Sequence, residues 1–264
     1  MARSPSSPMK IDVVTIFPQM FEKVFEFGVI GKAKSRGLVD LQVHNLRKYT
    51  TDKHQVVDDV PFGGGGGLIF KIEPLVKALK DIKRQGAVIL SEAKNLIDSR
   101  SVLLTPRGRL LNHKISKEFS KFEQMILFCG RYEGVDERFG EYVDDEISIG
   151  DYVLSGGEIA AMALIDAVCR FVPGVIGQEE AADRDSFSIR GGEGVEGLLE
   201  YPTYTRPVEY EGKRVPEILR SGNHAEIEKW RMDRALNITL QRRPDLLKSA
   251  LHDREKTREK RESS

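Results

Sequence analysis

The chain has 264 residues, 40% of them hydrophobic and 31% charged, with 41 basic side chains against 41 acidic ones. At roughly 150 residues per domain, that length suits two domains or one large one, and the balance excludes a disordered chain or a uniformly basic nucleic-acid coat. No apolar run approaches the roughly 18–20 residues of a membrane span, so no membrane partner is expected.

Residues 1–8 hold one Arg and no apolar core, and read as an unstructured extension rather than a secretory signal. Ile11–Phe17 is a short apolar run of the kind a buried strand carries. Pro18 opens a helical pattern through Phe27, and Gly37–Leu46 alternates as a second strand. Pro74 opens a helix through Arg84. Ala87–Leu90, Val102–Thr105 and Met125–Cys129 are further strand-like runs, with amphipathic Ile115–Phe122 between the last two. Strands alternating with helices predict a parallel α/β sheet. Glu158–Arg170 is apolar on nearly every face, so the sheet covers one side and a second domain or subunit must cover the other. Cys129 and Cys169, the only cysteines, sit inside apolar runs. They suit buried thiols in a reducing cytoplasm and exclude a disulfide scaffold or a four-cysteine zinc site.

After Pro173-Gly174 the composition changes. Residues 174–201 are rich in Gly, Asp and Glu, as in a linker or mobile loop. A helical region follows, with Asn223 and Glu226 forming a capping box. Pro244 opens a last helix that decays into a charged tail. From Tyr201 to Ser264 there are fifteen Lys and Arg against eleven Asp and Glu, a basic excess that the rest of the chain balances.

The phosphate loop, the His-Glu-x-x-His helix and the Cys-x-x-Cys pair are all missing from the sequence. A Gly-x-Gly-x-x-Gly at Gly192, Gly194 and Gly197 follows no strand and opens no apolar helix, so it reads as loop. Gly63–Gly67 differs, because apolar residues pin both ends; such glycines let a backbone approach a ligand or take positive φ. Three loops each follow a strand-like run: Thr105–Gly108, Gly130–Gly134 and Ser148–Gly157. In open α/β sheets ligands bind beyond the carboxyl ends of the strands, and these loops would line a pocket there with backbone N–H and C=O groups.

At these loops, Phe128–Arg138 and Ser148–Glu158 resemble the signature of bacterial tRNA (guanine-N1) methyltransferases, the TrmD type of the SPOUT superfamily. The likeness extends in order from Met9 to about Leu247, through the glycine run, Asp185-Ser186-Phe187, Tyr204–Pro207 and Ser221–Ile227. It implies an α/β parallel sheet with a C-terminal trefoil knot, then a small all-α domain, in a homodimer with its active site at the subunit interface. It implies S-adenosylmethionine held by Thr105, Pro106, Gly130, Tyr132, Gly134, Ile149, Gly150, Tyr152, Leu154, Gly156 and Gly157. It further implies N1 methylation of the tRNA guanosine just 3′ of the anticodon, position 37, in support of reading-frame maintenance. Asp185 matches the catalytic base, Arg170 the essential arginine, and Glu133 a residue tied to Mg2+ dependence. Arg206, Arg220, Asn223, His224 and Arg231 fall in the tRNA-contacting region, where Lys213, Arg214, Lys229, Arg234, Arg242 and Arg243 add charge. The expected organisation is thus an extension (1–8), a knotted cofactor-binding domain (9–173), an interdomain loop bearing Asp185 (174–201) and a helical tRNA-binding domain with a charged tail (202–264). Residues 188–195 lengthen the loop beside Asp185 relative to many relatives, and residues 1–8 have no counterpart.

The chemistry is consistent with these roles. Guanine N1 carries a proton and its lone pair is not available, so transfer requires a base, and charge then develops towards O6. The eight acidic residues from Glu133 to Asp151 would favour a sulfonium electrostatically. Asp183 is a rival base, set aside because Ser186 and Phe187 follow Asp185 as in the family. Other readings are a SPOUT methyltransferase acting on ribose or ribosomal RNA, and an RNA-binding protein without catalysis, against which the glycine loops, Asp185 and Arg170 argue.

Overall fold

The architecture was taken from a computed structural model describing residues 7–89, 98–176, 185–191 and 196–247. The chain divides into two compact units, Met1–Gly177 and Gln178–Ser264.

In chain order the first unit comprises β1 (Met9–Thr15), α1 (Gly28–Ser35), β2 (Val39–Asn45), the short strands β3 (Asp58–Asp59) and β4 (Ile69–Phe70), and α2 (Ile72–Ile89). It continues with β5 (Ser99–Leu110), α3 (His113–Phe119), β6 (Gln124–Cys129), β7 (Asp145–Ser148) and α4 (Glu158–Cys169). Five strands form one sheet in the order β2-β1-β6-β5-β7, parallel throughout. The apolar runs of β1 and β6 are continuous because both faces of these strands are covered. Ile11, Val13, Met125, Leu127 and Cys129 enter a core shared with α1, α3 and α4. Val14, Ile126 and Phe128 enter the opposite core, beneath α2. That helix buries Leu75, Ala78, Leu79 and Ile82, one stripe of an amphipathic cylinder. Asn112 caps α3 by accepting the Ile115 amide at 3.0 Å. Both cysteines are buried and unbridged, and no described helix is long and apolar enough to cross a membrane.

Local expectations fail in four places. Pro18 starts only a single 3-10 turn, Pro18–Phe21, and the true helix is α1, where Gly28 and Gly31 read as breakers. Tertiary burial of Ile30 and Ala33 outweighs that propensity. The run from Ala87 to Ile89 is the end of α2 rather than a strand, because a four-residue apolar run carries no period that separates the two; Leu90 lies outside the described residues. Residues 105–108 are a bulge inside β5: Leu104 and Arg109 both pair with Ile147. The second unit is not all helix. Alongside α5 (His224–Arg242) it carries the antiparallel pairs β8 (Ile189–Arg190) with β9 (Glu196–Leu198), and β10 (Glu209–Tyr210) with β11 (Lys213–Arg214). Strands of two or three residues leave no alternation to read.

Asn223 caps α5, accepting the Glu226 amide at 3.4 Å. Ile189, Leu198 and Ala235 form the small core, and Thr239 ties α5 to the chain after β9 by accepting the Leu199 amide at 2.9 Å. Residues 244–247 begin the helix expected at Pro244. The charged tail, residues 1–6, Asp183, Gly192 and Gly194 lie outside the described residues.

Beside β7, Asp144 accepts the Ser101 amide at 2.8 Å and the Ser101 hydroxyl at 2.5 Å. Burial pushes its pKa up, but these bonds, with Lys83 and Arg100 nearby, outweigh burial and hold it below the usual carboxylate value. A carboxyl with a lowered folded-state pKa stabilises the fold above its unfolded pKa and loses that contribution as pH falls through the folded one. Asp144→Asn should therefore melt below the wild type at pH 7, with the gap closing towards pH 3; thermal melts across that range would show it.

Candidate active site

The carboxyl ends of β6 and β7 place two of the three glycine-bearing loops side by side, and the third segment, residues 105–108, is the β5 bulge beside β7. The Gly157 amide donates to the Gly130 carbonyl at 2.9 Å, and Arg131 bridges Gly156. The β5 bulge lies against β7, and beyond it the Leu111 amide donates to the Ser148 carbonyl at 2.7 Å. Thr105, Gly130, Gly134, Ile149, Gly150, Leu154 and Gly156 are half-buried and Gly157 is buried, whereas Pro106, Tyr132 and Tyr152 are exposed. The resemblance expects these residues together; the loops after β6 and β7 bond each other, and Thr105 and Pro106 lie in the β5 bulge against β7. Backbone N–H and C=O groups beside the half-buried Ile149 and Leu154 suit an adenosyl ligand, which needs apolar walls and a few directed polar groups.

The glycine run docks on the same edge. Gly63, Gly64, Gly65 and Gly67 all have positive φ. A Cβ at Gly67 would stand 2.5 Å from Glu133 Cγ, so only glycine fits. The following strand is stitched to the β6 loop: the Glu133 amide donates to Leu68 O, the Phe70 amide to Gly134 O, and the Asp136 amide to Phe70 O, at 2.9–3.0 Å. Phe70 also meets the Tyr132 ring edge-on, centroids 5.7 Å apart.

Beneath these turns lies an ion pair that local sequence reading does not find. Glu158, the first residue of α4, is 1% exposed. It accepts the Thr15 hydroxyl at 2.7 Å and the Arg131 Nε at 3.1 Å. The Arg131 guanidinium lies 4.5 Å from the centroid of the Phe17 ring. A Cβ on Gly156 would strike both members of the pair. The pair thus fastens the end of β1, the β6 loop and the start of α4 to one another. Burial pushes the neighbouring Cys129 thiol well up; Glu158 adds to that and Arg131 opposes it. The only sequence signal for the pair is a carboxylate opening a helix whose one other charged residue is Asp166.

Arg170 caps α4 at its carboxyl end. With Asp166 and the Val24–Ile30 segment it lines a cavity of about 180 Å³. The helix leaves Ile159, Ala163, Asp166 and Arg170 on an exposed stripe. Asp185 belongs to the second unit and heads a tight turn into β8, with the Ser188 amide donating to its carbonyl at 3.0 Å and Phe187 at φ 73°. Arg206 and Arg220 are exposed, and His224 opens α5. Asn223 serves as the cap, and Arg231 both bonds Glu228 and stacks on Tyr201, so these two have structural duties as well. Glu133 is exposed. Among the described residues no group of three or more His, Cys, Asp or Glu that could hold a metal ion occurs, and no step below uses Mg2+.

Residues 9–249 match the family described as tRNA (Guanine-1)-methyltransferase TrmD. The chain belongs to the TrmD family. It is 49% identical over 243 residues to the tRNA (guanine-N(1)-)-methyltransferase of Geobacter sulfurreducens, covering 92% of each chain. The enzyme of that name from Dictyoglomus turgidum is 49% identical over 239 residues, 90% of each chain. The one from Limosilactobacillus reuteri is 47% identical over 247 residues, 94% of this chain and 93% of the relative. The TrmD match takes in both units, and so includes the glycine turns, Arg170 and Asp185.

Proposed function

We propose that this protein transfers a methyl group from S-adenosylmethionine to N1 of guanosine 37 in tRNA, in the cytoplasm, and so supports reading-frame maintenance. The observation that carries the reading is the meeting of the glycine-bearing turns after β6 and β7, beside the β5 bulge, at the edge of a parallel sheet in a chain of the TrmD family. The turns hold the donor, which supplies an electrophilic methyl on a sulfonium. Asp185 accepts the N1 proton, and Arg170 donates to O6 as charge develops there. Arg206, Arg220, Asn223, His224 and Arg231 contact the tRNA.

The working form is a homodimer with its active site at the subunit interface, built on a trefoil knot through β5, β6, β7 and α4. Support for the dimer comes from the uncovered face of the first unit: Ile159 on α4 is 50% exposed and Phe27 73%. Apolar side chains so exposed along one helix and its neighbour mark a surface that another chain covers. Support for the knot comes from the strand order, in which β5 lies between β6 and β7 while the loops leaving those two strands bond each other.

The test is methyl transfer from labelled S-adenosylmethionine to unmodified tRNA, with the product nucleoside mapped. The expected product is 1-methylguanosine at position 37, and a transcript with that guanosine replaced should accept no methyl. Label on a ribose, on another base or on ribosomal RNA would overturn the reading.

A further inference from the structure

A second surface stands near the glycine turns. Across the sheet's carboxyl edge, α2 forms one wall of a groove of about 820 Å³. The exposed stripe of α2 contributes Lys77, Lys80 and Arg84, spaced to share one helix face. The facing wall is Lys48 and Tyr49, from the 3-10 turn Leu46–Tyr49 that follows β2, with Tyr142 beyond the β6 loop. Ile72 and Val76 supply apolar contact, and Glu73 and Asp81 are the acidic residues lining it. The wall helix is joined to the turns through the chain: β4, one residue before α2, is the strand bonded to Gly134.

The charge in this groove is not internally balanced. Arg84 bonds Asp81 at 2.8 Å, and Asp81 also accepts Gln85 at 2.8 Å. Nearby lysines outside the groove find carboxylates, Lys71 with Asp59 and Lys83 with Asp144. Lys48, Lys77 and Lys80 form no ion pair among the described residues, although they crowd one concavity. Tyr49 is held in place from behind. Its hydroxyl lies 3.4 Å from His44 Nδ1, and His44 Nε2 lies 2.7 Å from Asp12, whose other oxygen accepts the Gln124 amide at 2.6 Å. A fixed aromatic ring, a second exposed one and three ammonium groups against the single remaining carboxylate of Glu73 suit a nucleic-acid strand: counter-charge for phosphates and flat faces for bases or riboses.

We propose that this groove docks the sugar–phosphate backbone of the RNA substrate, apart from the basic helical region of the second unit. The inference rests on the reading of the protein as a tRNA methyltransferase. Lysines point-contact phosphates and carry no base information, so the groove adds affinity and register, and the base to be methylated is chosen elsewhere.

The triple variant Lys48→Gln/Lys77→Gln/Lys80→Gln tests it in the full chain. These side chains are exposed or line an open groove, so the fold and S-adenosylmethionine affinity should persist, checked by melting and calorimetry. The expected result is a weaker dependence of tRNA affinity on salt. The slope of log K against log salt should shrink by roughly 0.7–0.9 for each phosphate left without its lysine, and tRNA affinity at low salt should drop about tenfold or more. Wild-type protein that binds tRNA, with an unchanged slope in the variant, overturns the groove alone. Wild-type protein that binds no tRNA overturns the methyltransferase reading as well. Variant protein that loses binding to polyglutamate while keeping tRNA affinity and slope would assign the groove to an acidic protein partner and overturn the proposal.

Discussion

Asp185→Asn is expected to lower methyl transfer to tRNA by roughly 10²–10⁴-fold, the usual worth of a positioned proton acceptor. S-adenosylmethionine affinity should stay at the wild-type level. The substitution keeps the shape of the side chain and of the turn that Asp185 heads, where the backbone bond from Ser188 to its carbonyl is 3.0 Å. What it removes is basicity, because a carboxamide takes no proton from N1 at neutral pH. Single-turnover transfer from pre-bound donor isolates that step from tRNA docking and product release. Turnover near the wild-type level would move the base to another residue, Asp183 first among them.

Glu158→Ala is expected to act on stability and on the turns together. The carboxylate is 1% exposed and holds both Thr15 and Arg131. Removing one member of a buried pair strands the other, at a cost of about 3–5 kcal/mol when the survivor is also buried. The Arg131 side chain keeps 19% of its exposure, so some water reaches it and the lower end, about 3 kcal/mol, is the better figure. That corresponds to a fall in melting temperature on the order of 6–12 °C for a unit of this size. S-adenosylmethionine affinity should fall with it, since the pair secures the Gly130 and Gly156 turns. Glu158→Gln, which keeps an acceptor for Thr15, should lose less of both. An Ala variant melting with the wild type would show that the pair contributes no net stability, and unchanged donor affinity would show that it does not shape the turns.

Some parts of this architecture were legible because their signals are local. The runs at β1 and β6 are apolar at successive positions, which a strand buried on both faces requires, and the Asn223 cap sits one residue before α5. The loops around Gly130 and Gly156 stood out because they combine glycine with a position just after a strand. Others had no local signal. The β5 bulge exists because Leu104 and Arg109 pair with the same residue of β7, some forty positions away. The strands of the second unit are two or three residues long, too short for alternation to appear. Gly28 and Gly31 argue locally against α1, and burial of Ile30 and Ala33 decides in its favour.

The sequence by itself determined the sheet's central strands, the amphipathic helices and the identity of the glycine turns, since periodicity and turn chemistry act over a few residues. Only the tertiary structure decided that Glu158 is buried against Thr15 and Arg131, that Gly67 packs on Glu133, and that Lys48 shares a concavity with Lys77 and Lys80. Thr15 and Glu158 are 143 residues apart in the chain. Electrostatics and packing act through space, so a pair that distant leaves no trace in the order of residues until the sheet brings its ends together.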